Sequence, residues 1–466
     1  DGYLPDNFVV VGASRSELSD EEYRRVVREG VQQFSRRVFD YAHWNAFAGK
    51  IFYQQVRFTE SADYSTLKAR LQSYAEERRE SVNYLYYLAT APEFFVEIAE
   101  RLNGAGLVED PDSTLCTTRL IVEKPFGRDL ESAQVLNGKL SQNFAENQIF
   151  RIDHYLGKET VQNILVFRFS NGILEPLWNH KYIEQIQVSM CESIGVGSRA
   201  GYFDSNGLLR DIVQNHLLQV ISLLCIEPPV SLDADSIRDE KVKVLRSMRR
   251  FEESEVRERI VRGQYAEGFI LGDKVAGYLQ EDGVPRDSST GTYVAMELAI
   301  DNWRWAGVPI YVRTGKRLPR RITEITVYFR RAPETLFANL ENCSTEQNVL
   351  AIQVQPDESI TLKMNSKPPG QSIRISPVDM EFSYDESFGV DSPEAYERLL
   401  LDAMRGDATL FTRSDEIEQA WELLQPILDV WDGSDSPEPE DYEAGTWGPR
   451  AAADLLRVKS HRWRRL

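Results

Sequence analysis

The densest group of chemically capable side chains is the segment Arg151–Glu159, which reads RIDHYLGKE. Asp153, His154 and Lys158 supply a carboxylate, an imidazole and an ammonium within six positions. The first two follow a short predicted strand, and Gly157–Glu159 is expected to open a helix, whose free N–H groups and dipole attract anions. A surface turn with solvated charges is the simpler alternative. The density of polar groups at a predicted domain junction favours a site instead.

His216 is the second candidate. Apolar spacing predicts a helix over Gly207–Glu227 whose buried stripe includes His216. A lone histidine on such a face is often only a satisfied core residue. A carboxylate partner would raise its basicity and fix its tautomer, giving a general base near neutral pH, and Asp153 is a candidate for that partner. The predicted stripe consists of Leu209, Ile212, Val213, His216 and Val220.

A basic cluster follows a predicted strand later in the chain. Five of the nine residues from 313 to 321 are basic: Arg313, Lys316, Arg317, Arg320 and Arg321. Arginine offers a planar fork for phosphate and lysine a point charge, so the cluster resembles an anion receptor. A solvated basic loop is the alternative.

Two segments bear on dinucleotide binding. Gly195–Ala200 matches the pattern G-x-G-x-x-A, but it lies in the predicted second domain. The next residues, Gly201–Asp204, are not expected to begin a helix at once, so we interpret the match as coincidental.

Arg15 follows the first predicted strand. If that strand is the second of a doubly wound sheet, Arg15 is placed to accept the 2′-phosphate of NADP.

The first 153 residues alternate strand-like and helix-like segments, which predicts a parallel, doubly wound sheet of the Rossmann type. The run Val82–Ala91 is almost continuously apolar, as expected of a strand covered on both faces. A capping pattern at Ser19–Glu22 predicts a helix that extends to Phe39. The other predicted elements are strands at Phe8–Gly12 and Arg119–Val122 and helices at Tyr64–Glu80 and Pro92–Leu102.

Residues 154–466 predict a larger α+β domain with a mainly antiparallel sheet and helices on one face. The Pro/Glu/Asp-rich stretch 432–441 is expected to be a solvated loop. Period-two patterning predicts strands at Ile183–Met190, Tyr293–Ile300, Ile310–Thr314, Glu324–Arg330, Val349–Gln355, Ile360–Met364 and Met380–Tyr384. Further helices are predicted at Arg238–Met248, Pro393–Met404 and Ser414–Leu428.

Composition narrows the class of protein. With 466 residues, of which 42% are hydrophobic, the chain can bury a core, and disorder is excluded. A net charge of −19 argues against nucleic acid or an anionic membrane as a partner. Four scattered cysteines and five histidines without ligand spacing predict neither disulfides nor a metal site. No apolar run is long enough to span a membrane, and we expect a cytoplasmic protein.

Taken together, these motifs resemble the glucose-6-phosphate dehydrogenase family. The matching blocks run in family order across nearly the whole chain, and RIDHYLGKE is highly specific. The blocks are Glu123–Asp129, Arg151–Glu159, Gly201–Asp204, Arg210–His216, Arg238–Lys243 and Tyr396–Arg398.

The resemblance implies NADP-dependent oxidation of glucose 6-phosphate at C1 to the lactone, the first step of the oxidative pentose phosphate pathway. It implies that His216 is the general base and that Asp153 pairs with it. The implied sugar-phosphate contacts are His154, Lys158, Glu192, Asp211, Lys316 and Arg321. The implied cofactor contacts are Arg15, Ala89, Pro92 and Lys124, the last preceding a proline bond that we expect to be cis.

The sequence also departs from the family. Relatives carry a first strand and a glycine-rich turn ahead of the point where this sequence begins, so we expect that dinucleotide-fingerprint segment to be missing. Ile322, Thr326 and Gln353 stand where animal enzymes are basic at a second cofactor site, which indicates a bacterial or cyanobacterial type. A homodimer or homotetramer is expected. The alternatives are a catalytically inactive phosphosugar-binding fragment or scaffold, and another sugar dehydrogenase with a similar Glu-Lys-Pro turn.

Overall fold

The computed structural model describes residues 3–5, 7–78, 82–113, 116–333, 345–370, 373–389, 394–457 and 459–466. The chain forms two compact units. The first comprises Asp1–Lys124, Val135–Ile152 and Leu401–Ala408, and the second comprises Pro125–Gln134, Asp153–Leu400 and Thr409–Leu466.

Parallel strands form the first unit, as the alternating sequence predicts. β1 pairs with β2, and β3, β4 and β5 are adjacent parallel strands of a separate sheet. The apolar strand β4 lies between β3 and β5 and is almost wholly buried. The strands are β1 (Val10–Ser14), β2 (Ile51–Gln55), β3 (Tyr84–Leu88), β4 (Thr118–Val122) and β5 (Ile149–Ile152).

Strand β3 differs from its prediction because it is not covered on both faces. It is shorter than the apolar run, and Tyr87 is 42% exposed. The tyrosines of this strand carry hydroxyl groups that reach polar partners. The Tyr86 hydroxyl donates to the Leu107 carbonyl at 3.0 Å, and the Tyr87 hydroxyl donates to Glu123 at 2.8 Å. Amphipathic tyrosines therefore produce the apolar run without requiring full burial.

The first helix begins where the capping pattern predicts. Ser19 Oγ accepts the Glu22 amide, and the Glu22 carboxylate accepts the Ser19 amide at 2.8 Å. The helix ends at Phe34 rather than Phe39, because Asp40 caps a new helix by accepting the Ala42 amide at 3.0 Å. These first helices are α1 (Asp20–Phe34), α2 (Tyr41–Ala48), α3 (Ser61–Arg78) and α4 (Phe95–Gly104).

A nine-stranded, mainly antiparallel sheet dominates the second unit, as predicted. Its order is β15-β14-β13-β12-β6-β11-β10-β7-β17, with parallel pairs only at β6–β11 and β7–β17. The strands of this unit are β6 (Ile183–Cys191), β7 (Ile260–Ala266), β8 (Gly268–Ile270), β9 (Asp273–Val275), β10 (Tyr293–Leu298), β11 (Ile310–Gly315), β12 (Ile322–Phe329), β13 (Val349–Gln355), β14 (Ser359–Ser366), β15 (Ser376–Ser383), β16 (Phe411–Thr412) and β17 (Glu440–Glu443).

Five of these strands, β7, β8, β9, β16 and β17, were not predicted, and two of the five belong to the nine-stranded sheet. β7 carries glycine and polar residues that obscure its alternation. β17 begins at Glu440, inside the stretch 432–441 that was expected to be a solvated loop. That expectation is therefore wrong for the last two residues of the stretch. β17 still pairs with β7, since Tyr442 is buried while its neighbours are exposed. One inward tyrosine is enough to dock a short edge strand.

Helix α8 lies in the core, and its last carbonyl groups are satisfied by side chains. The indole of Trp178 donates to the Leu224 carbonyl at 2.9 Å, and that of Trp305 donates to the Cys225 carbonyl at 2.8 Å. The remaining helices of the chain are α5 (Leu130–Ser141), α6 (Glu159–Ser170), α7 (Ala200–Leu208), α8 (Leu218–Cys225), α9 (Ala234–Ser247), α10 (Glu253–Arg259), α11 (Tyr384–Phe388), α12 (Ala395–Arg405), α13 (Ser414–Trp431) and α14 (Arg450–Arg457). Pro393, where a helix was predicted to begin, lies outside the described residues.

Candidate active site

The helix that carries His216 is not a continuous α-helix. Gly207 leaves the helical region, with φ 64° and ψ 174°, and Leu209–Leu217 is a π-helix with i→i+5 bonds. α8 continues from its end. The wider winding buries Asp211 and leaves Ile212 half-buried, which reverses the predicted stripe at these two positions. π-Helical turns occur frequently at functional sites.

His216 and Asp153 form a buried pair. The Asp153 side chain, 2% exposed, approaches His216 Nδ1 at 2.5 Å through Oδ1, and the His216 side chain is 1% exposed. The Tyr155 amide donates to the same carboxylate oxygen at 3.0 Å. Burial favours the neutral acid, but the interactions with His216 and His154 outweigh it and hold the pKa of Asp153 below its usual range. The carboxylate therefore stays ionised and fixes Nδ1 of the imidazole.

Aromatic rings enclose this pair. The Tyr155 ring stacks on His216 with centroids 4.6 Å apart, and the His154 ring meets His216 edge-on at 4.4 Å. Tyr396, on α12, stacks against His154 at 6.4 Å. Burial raises the pKa of Tyr155 to about 12, so its phenol stays neutral and can donate a hydrogen bond. Asp153, His154 and His216 each have an atom of a kind that can bind a metal ion, and these three atoms lie within 4.8 Å of one another.

Two cations share one neutral oxygen beside these rings. Lys158 Nζ donates to Gln355 Oε1 at 3.0 Å, and Arg321 donates to the same oxygen at 3.3 Å. The Gln355 amide nitrogen donates in turn to Thr323 Oγ1 at 3.0 Å and to the Tyr155 hydroxyl at 3.3 Å. Burial and the charge of Arg321 lower the pKa of Lys158. The carboxamide oxygen carries no formal charge to cancel the two cations, and Glu358 opposes the effect of burial and Arg321 on Lys158 only in part, which suits the site to an anion.

A third pair lies at the ends of two neighbouring strands. β6 and β11 are parallel and place Cys191 opposite Gly315. The residues that follow them, Glu192 and Lys316, therefore lie side by side, and Lys316 Nζ donates to Glu192 at 2.6 Å. Lys316 Nζ also lies 5.1 Å from the centre of the Phe203 ring. The Tyr155 hydroxyl lies 3.3 Å from Thr323 Oγ1, and Thr323 lies opposite Met190 near the end of β6, so this ion pair is close to the two groups described above.

The second unit thus brings together the residues predicted for catalysis and substrate binding, and all of them except Asp211 take part in the contacts described above. Asp211 is buried in the π-helix, five residues before His216. Tyr155 lies within the RIDHYLGKE segment but was not predicted to have a role, and Gln355 was missed altogether. Its only sequence signal was its position at the end of a predicted strand.

The basic cluster, in contrast, does not act as one receptor. Arg313 is buried and lies between the rings of Trp447 and Trp463, 5.1 and 4.6 Å from their centres. Arg317 pairs with Glu281 at 3.1 Å. Only Lys316 and Arg321 belong to the group around His216. The expectation of a single five-residue anion receptor is therefore wrong, because Arg313 packs against aromatic rings within β11 and Arg317, which follows the strand, is bonded to Glu281.

The G-x-G match has the strand–turn–helix context that we expected it to lack, since α7 begins at Ala200 soon after β6. The expectation that no helix begins at this point is wrong. Its amide groups are nevertheless occupied, because Val196 and Gly197 donate to Glu281 at 3.2 and 3.0 Å. An internal carboxylate fills the position that a ligand phosphate would take.

The four residues predicted to contact a cofactor lie in the first unit. Arg15 follows β1, Ala89 follows β3, Pro92 opens a short 3₁₀ turn, and Lys124 follows β4. The first three are exposed. The predicted cis bond before Pro125 is wrong, because among the described residues the cis peptide bond is Gln355–Pro356.

Comparison with known proteins decides the family. Residues 1–163 match the family model "Glucose-6-phosphate dehydrogenase, NAD binding domain", and residues 165–464 match "Glucose-6-phosphate dehydrogenase, C-terminal domain". The chain belongs to the glucose-6-phosphate dehydrogenase family. Members of this family are oxidoreductases that use a nicotinamide dinucleotide.

Curated relatives cover the full chain. Glucose-6-phosphate 1-dehydrogenase of Chlamydia pneumoniae is 44% identical over 100% of this chain and 91% of its own length. The enzyme of the same name from Bacillus subtilis is 42% identical over 99% and 92%.

Solved structures of the glucose-6-phosphate dehydrogenase family have the same fold. "Glucose-6-phosphate dehydrogenase in complex with its substrate glucose-6-phosphate" has a TM-score of 0.91 at 37% identity and covers 100% of this chain and 93% of its own. Glucose-6-phosphate 1-dehydrogenase from Mycobacterium avium has a TM-score of 0.83 at 35% identity over 98% and 91%. Among the described helices, we find none that is both long and apolar enough to cross a bilayer.

Proposed function

We propose that this protein oxidises D-glucose 6-phosphate at C1 to 6-phosphogluconolactone, with NADP as hydride acceptor. The observation that carries the proposal is the buried Asp153–His216 pair, which lies beside a group of uncancelled cations in the same compact unit. An acid–base pair next to an anion site is what oxidation of a phosphorylated alcohol requires. Family membership supports the same reaction.

Lys158 and Arg321 are the proposed phosphate contacts. Their charges converge on the oxygen of Gln355, which a phosphate oxygen can replace at the two donors. His154 contacts the rings of both His216 and Tyr155 and is suited to a sugar or phosphate oxygen. Glu192, Lys316 and Asp211 are the proposed hydroxyl contacts, since two carboxylates and an ammonium can accept from and donate to sugar hydroxyls and so orient the ring.

His216 is the proposed general base. Asp153 holds Nδ1, so Nε2 is the atom that takes the proton of the C1 hydroxyl. The ionised carboxylate then stabilises the imidazolium. The buried, ring-lined surroundings keep water from competing for that proton.

The nicotinamide dinucleotide, when bound, accepts the hydride that leaves C1. The residues proposed to hold it are Arg15, Ala89, Pro92 and Lys124. Arg15 fits a 2′-phosphate because it is exposed just after a parallel strand, and no contact of its guanidinium occurs among the described residues. We therefore propose NADP rather than NAD as the preferred cofactor.

We also propose that residues 1–153 act as the cofactor domain and 154–466 as the substrate and dimerisation domain. The oligomer proposed is a homodimer or a homotetramer, supported by exposed apolar side chains on β14 and β15. A cytoplasmic location is supported by the three described cysteines, Cys116, Cys191 and Cys225, which are free thiols.

A steady-state assay of the purified protein tests the proposed reaction. Reduction of NADP is followed with glucose 6-phosphate and, as the control, with unphosphorylated glucose. Turnover with glucose 6-phosphate and far slower turnover with glucose are expected, with a higher kcat/KM for NADP than for NAD. No turnover with either cofactor would favour the inactive, phosphosugar-binding alternative.

A further inference from the structure

The carboxylate of Glu281 binds the loops that follow strands β6 and β11. Its Oε2 accepts the amides of Val196 and Gly197, and its Oε1 accepts the Tyr265 hydroxyl at 2.7 Å and an Arg317 N–H at 3.1 Å. The Glu281 side chain is 9% exposed. Four donors from three separate parts of the chain therefore converge on one nearly buried side chain.

The glycine of the first loop is required by this arrangement. A Cβ on Gly195 would lie 2.0 Å from Glu281 Oε1 and 2.8 Å from Arg317 Nε. Gly197 has φ 51°, which a side-chain-bearing residue rarely adopts. The G-x-G pattern is thus explained by an internal ligand, since consecutive amides of such a turn form an anion-binding concavity.

The second loop is strained at the residue after Lys316. Arg317 has φ 53°, an uncommon conformation for a residue other than glycine. Its amide donates to the Ile194 carbonyl at 3.2 Å, and its carbonyl accepts the Gly445 amide at 2.7 Å. Such strain persists only where surrounding contacts hold it, and the bond to Glu281 is one of those contacts.

The same two loops carry the ion pair of the candidate active site. The Glu192 amide donates to the Gly315 carbonyl, and the Leu318 amide donates to the Glu192 carbonyl, both at 2.9 Å. Backbone hydrogen bonds therefore join the two loops that carry Glu192 and Lys316, and Glu281 bonds to both loops at residues that follow this pair. No described contact joins Glu281 to the side chain of Lys316 or Glu192, so its effect on them passes through the loops.

We propose that Glu281 is a positioning residue that holds the Glu192–Lys316 pair in its sugar-binding geometry through Arg317 and the loop 194–197. This role rests on the proposed function, in which the pair contacts glucose 6-phosphate. Because the pair binds the sugar and does not transfer the proton or hydride, loss of Glu281 weakens substrate binding more than it slows chemistry.

The test is Glu281→Gln, which keeps the shape but removes the charge that Arg317 and the two amides require. We expect the KM for glucose 6-phosphate to rise about tenfold, with kcat within about twofold and the KM for NADP unchanged. Glu175→Gln is the matched control, because Glu175 pairs with Arg168 and Arg304 away from these loops. It should lower the melting temperature without moving the KM for glucose 6-phosphate.

A second comparison tests the route through Arg317. Glycine adopts φ 53° without strain, so in the Arg317→Gly background Glu281→Gln should raise the KM much less than in the wild-type background. Additive effects of the two changes, or an unchanged KM in Glu281→Gln, would overturn the proposal. If Glu281→Gln does not fold, Arg317→Lys replaces it, and an unchanged KM there refutes the role equally. Absence of wild-type turnover with glucose 6-phosphate would instead refute the proposed function.

Discussion

At the scale of single residues, the charged groups of the candidate site have partners of different chemical types. Asp153 is paired with an imidazole that can change its protonation state, whereas Lys158 and Arg321 are paired with a carboxamide that cannot. In the proposed function, the first pairing tunes the base, and the second leaves positive charge available for the phosphate.

Replacement of His216 by Asn tests the acid–base role. The variant keeps a polar side chain but cannot take the hydroxyl proton, so kcat should fall by roughly 10²–10⁴-fold. Calorimetry should find glucose 6-phosphate binding nearly intact. His180→Asn, at a half-buried histidine outside the cluster, is the control and should leave kcat unchanged. An unaltered kcat in His216→Asn would refute the base assignment.

The pH dependence of substrate binding tests Lys158. Burial and the charge of Arg321 lower its pKa from the ordinary 10.5, so the ammonium loses its proton earlier than a free lysine as the pH rises. The KM for glucose 6-phosphate should therefore increase on the alkaline side beginning below pH 10.5. In Lys158→Arg the side chain stays charged across this range, and that increase should disappear. Identical KM profiles for the two proteins would exclude Lys158 as the titrating group.

At the scale of elements, the sequence predicted what depends on local pattern. The capping box of α1, the strand β13 and the mainly antiparallel sheet follow from alternation and side-chain chemistry over a few residues. The π-helix was not predicted, because the stripe of a π-turn differs from that of an α-helix by only one position per turn. Gln355 and Glu281 were missed for a different reason: their partners lie far away in the chain.

Gly207 is the residue that allows α7 to turn into the π-helix. Its φ of 64° and ψ of 174° are accessible in practice only to glycine, so Gly207→Ala should destabilise the protein by about 1–3 kcal/mol. Because the strain falls just before the segment that carries His216, kcat should fall as well. Urea unfolding and steady-state kinetics measure the two effects.

Gly201 provides the matched control within the same helix. It has no unusual φ, and a Cβ there would meet nothing within 4 Å. Gly201→Ala should therefore be neutral or stabilise the protein by up to about 1 kcal/mol, since alanine is the better helix former. Equal losses of stability in the two variants would show that the backbone conformation of Gly207 is not the cause.

At the scale of the whole molecule, charge and surface have different consequences. The chain carries a net charge of −19, so in the proposed function a local group of cations, Lys158, Lys316 and Arg321, attracts the phosphorylated substrate against the overall charge. The surface argues for association. Met364, Val378 and Met380 are 41%, 44% and 59% exposed on the outer strands of the nine-stranded sheet.

These exposed residues share one face of the sheet. Met364 lies opposite Val378, and Leu362 lies opposite Met380, so the four side chains form a continuous apolar strip. We expect this strip to pair with a second copy of the chain, because a monomer rarely leaves such a surface in water. Met380→Asp should therefore shift the sedimentation coefficient toward that of the monomer. Asp379→Asn changes the net charge by one unit in the opposite direction, on the opposite face, and should leave the sedimentation coefficient unchanged. Equal sedimentation of Met380→Asp and the wild type would place the interface elsewhere.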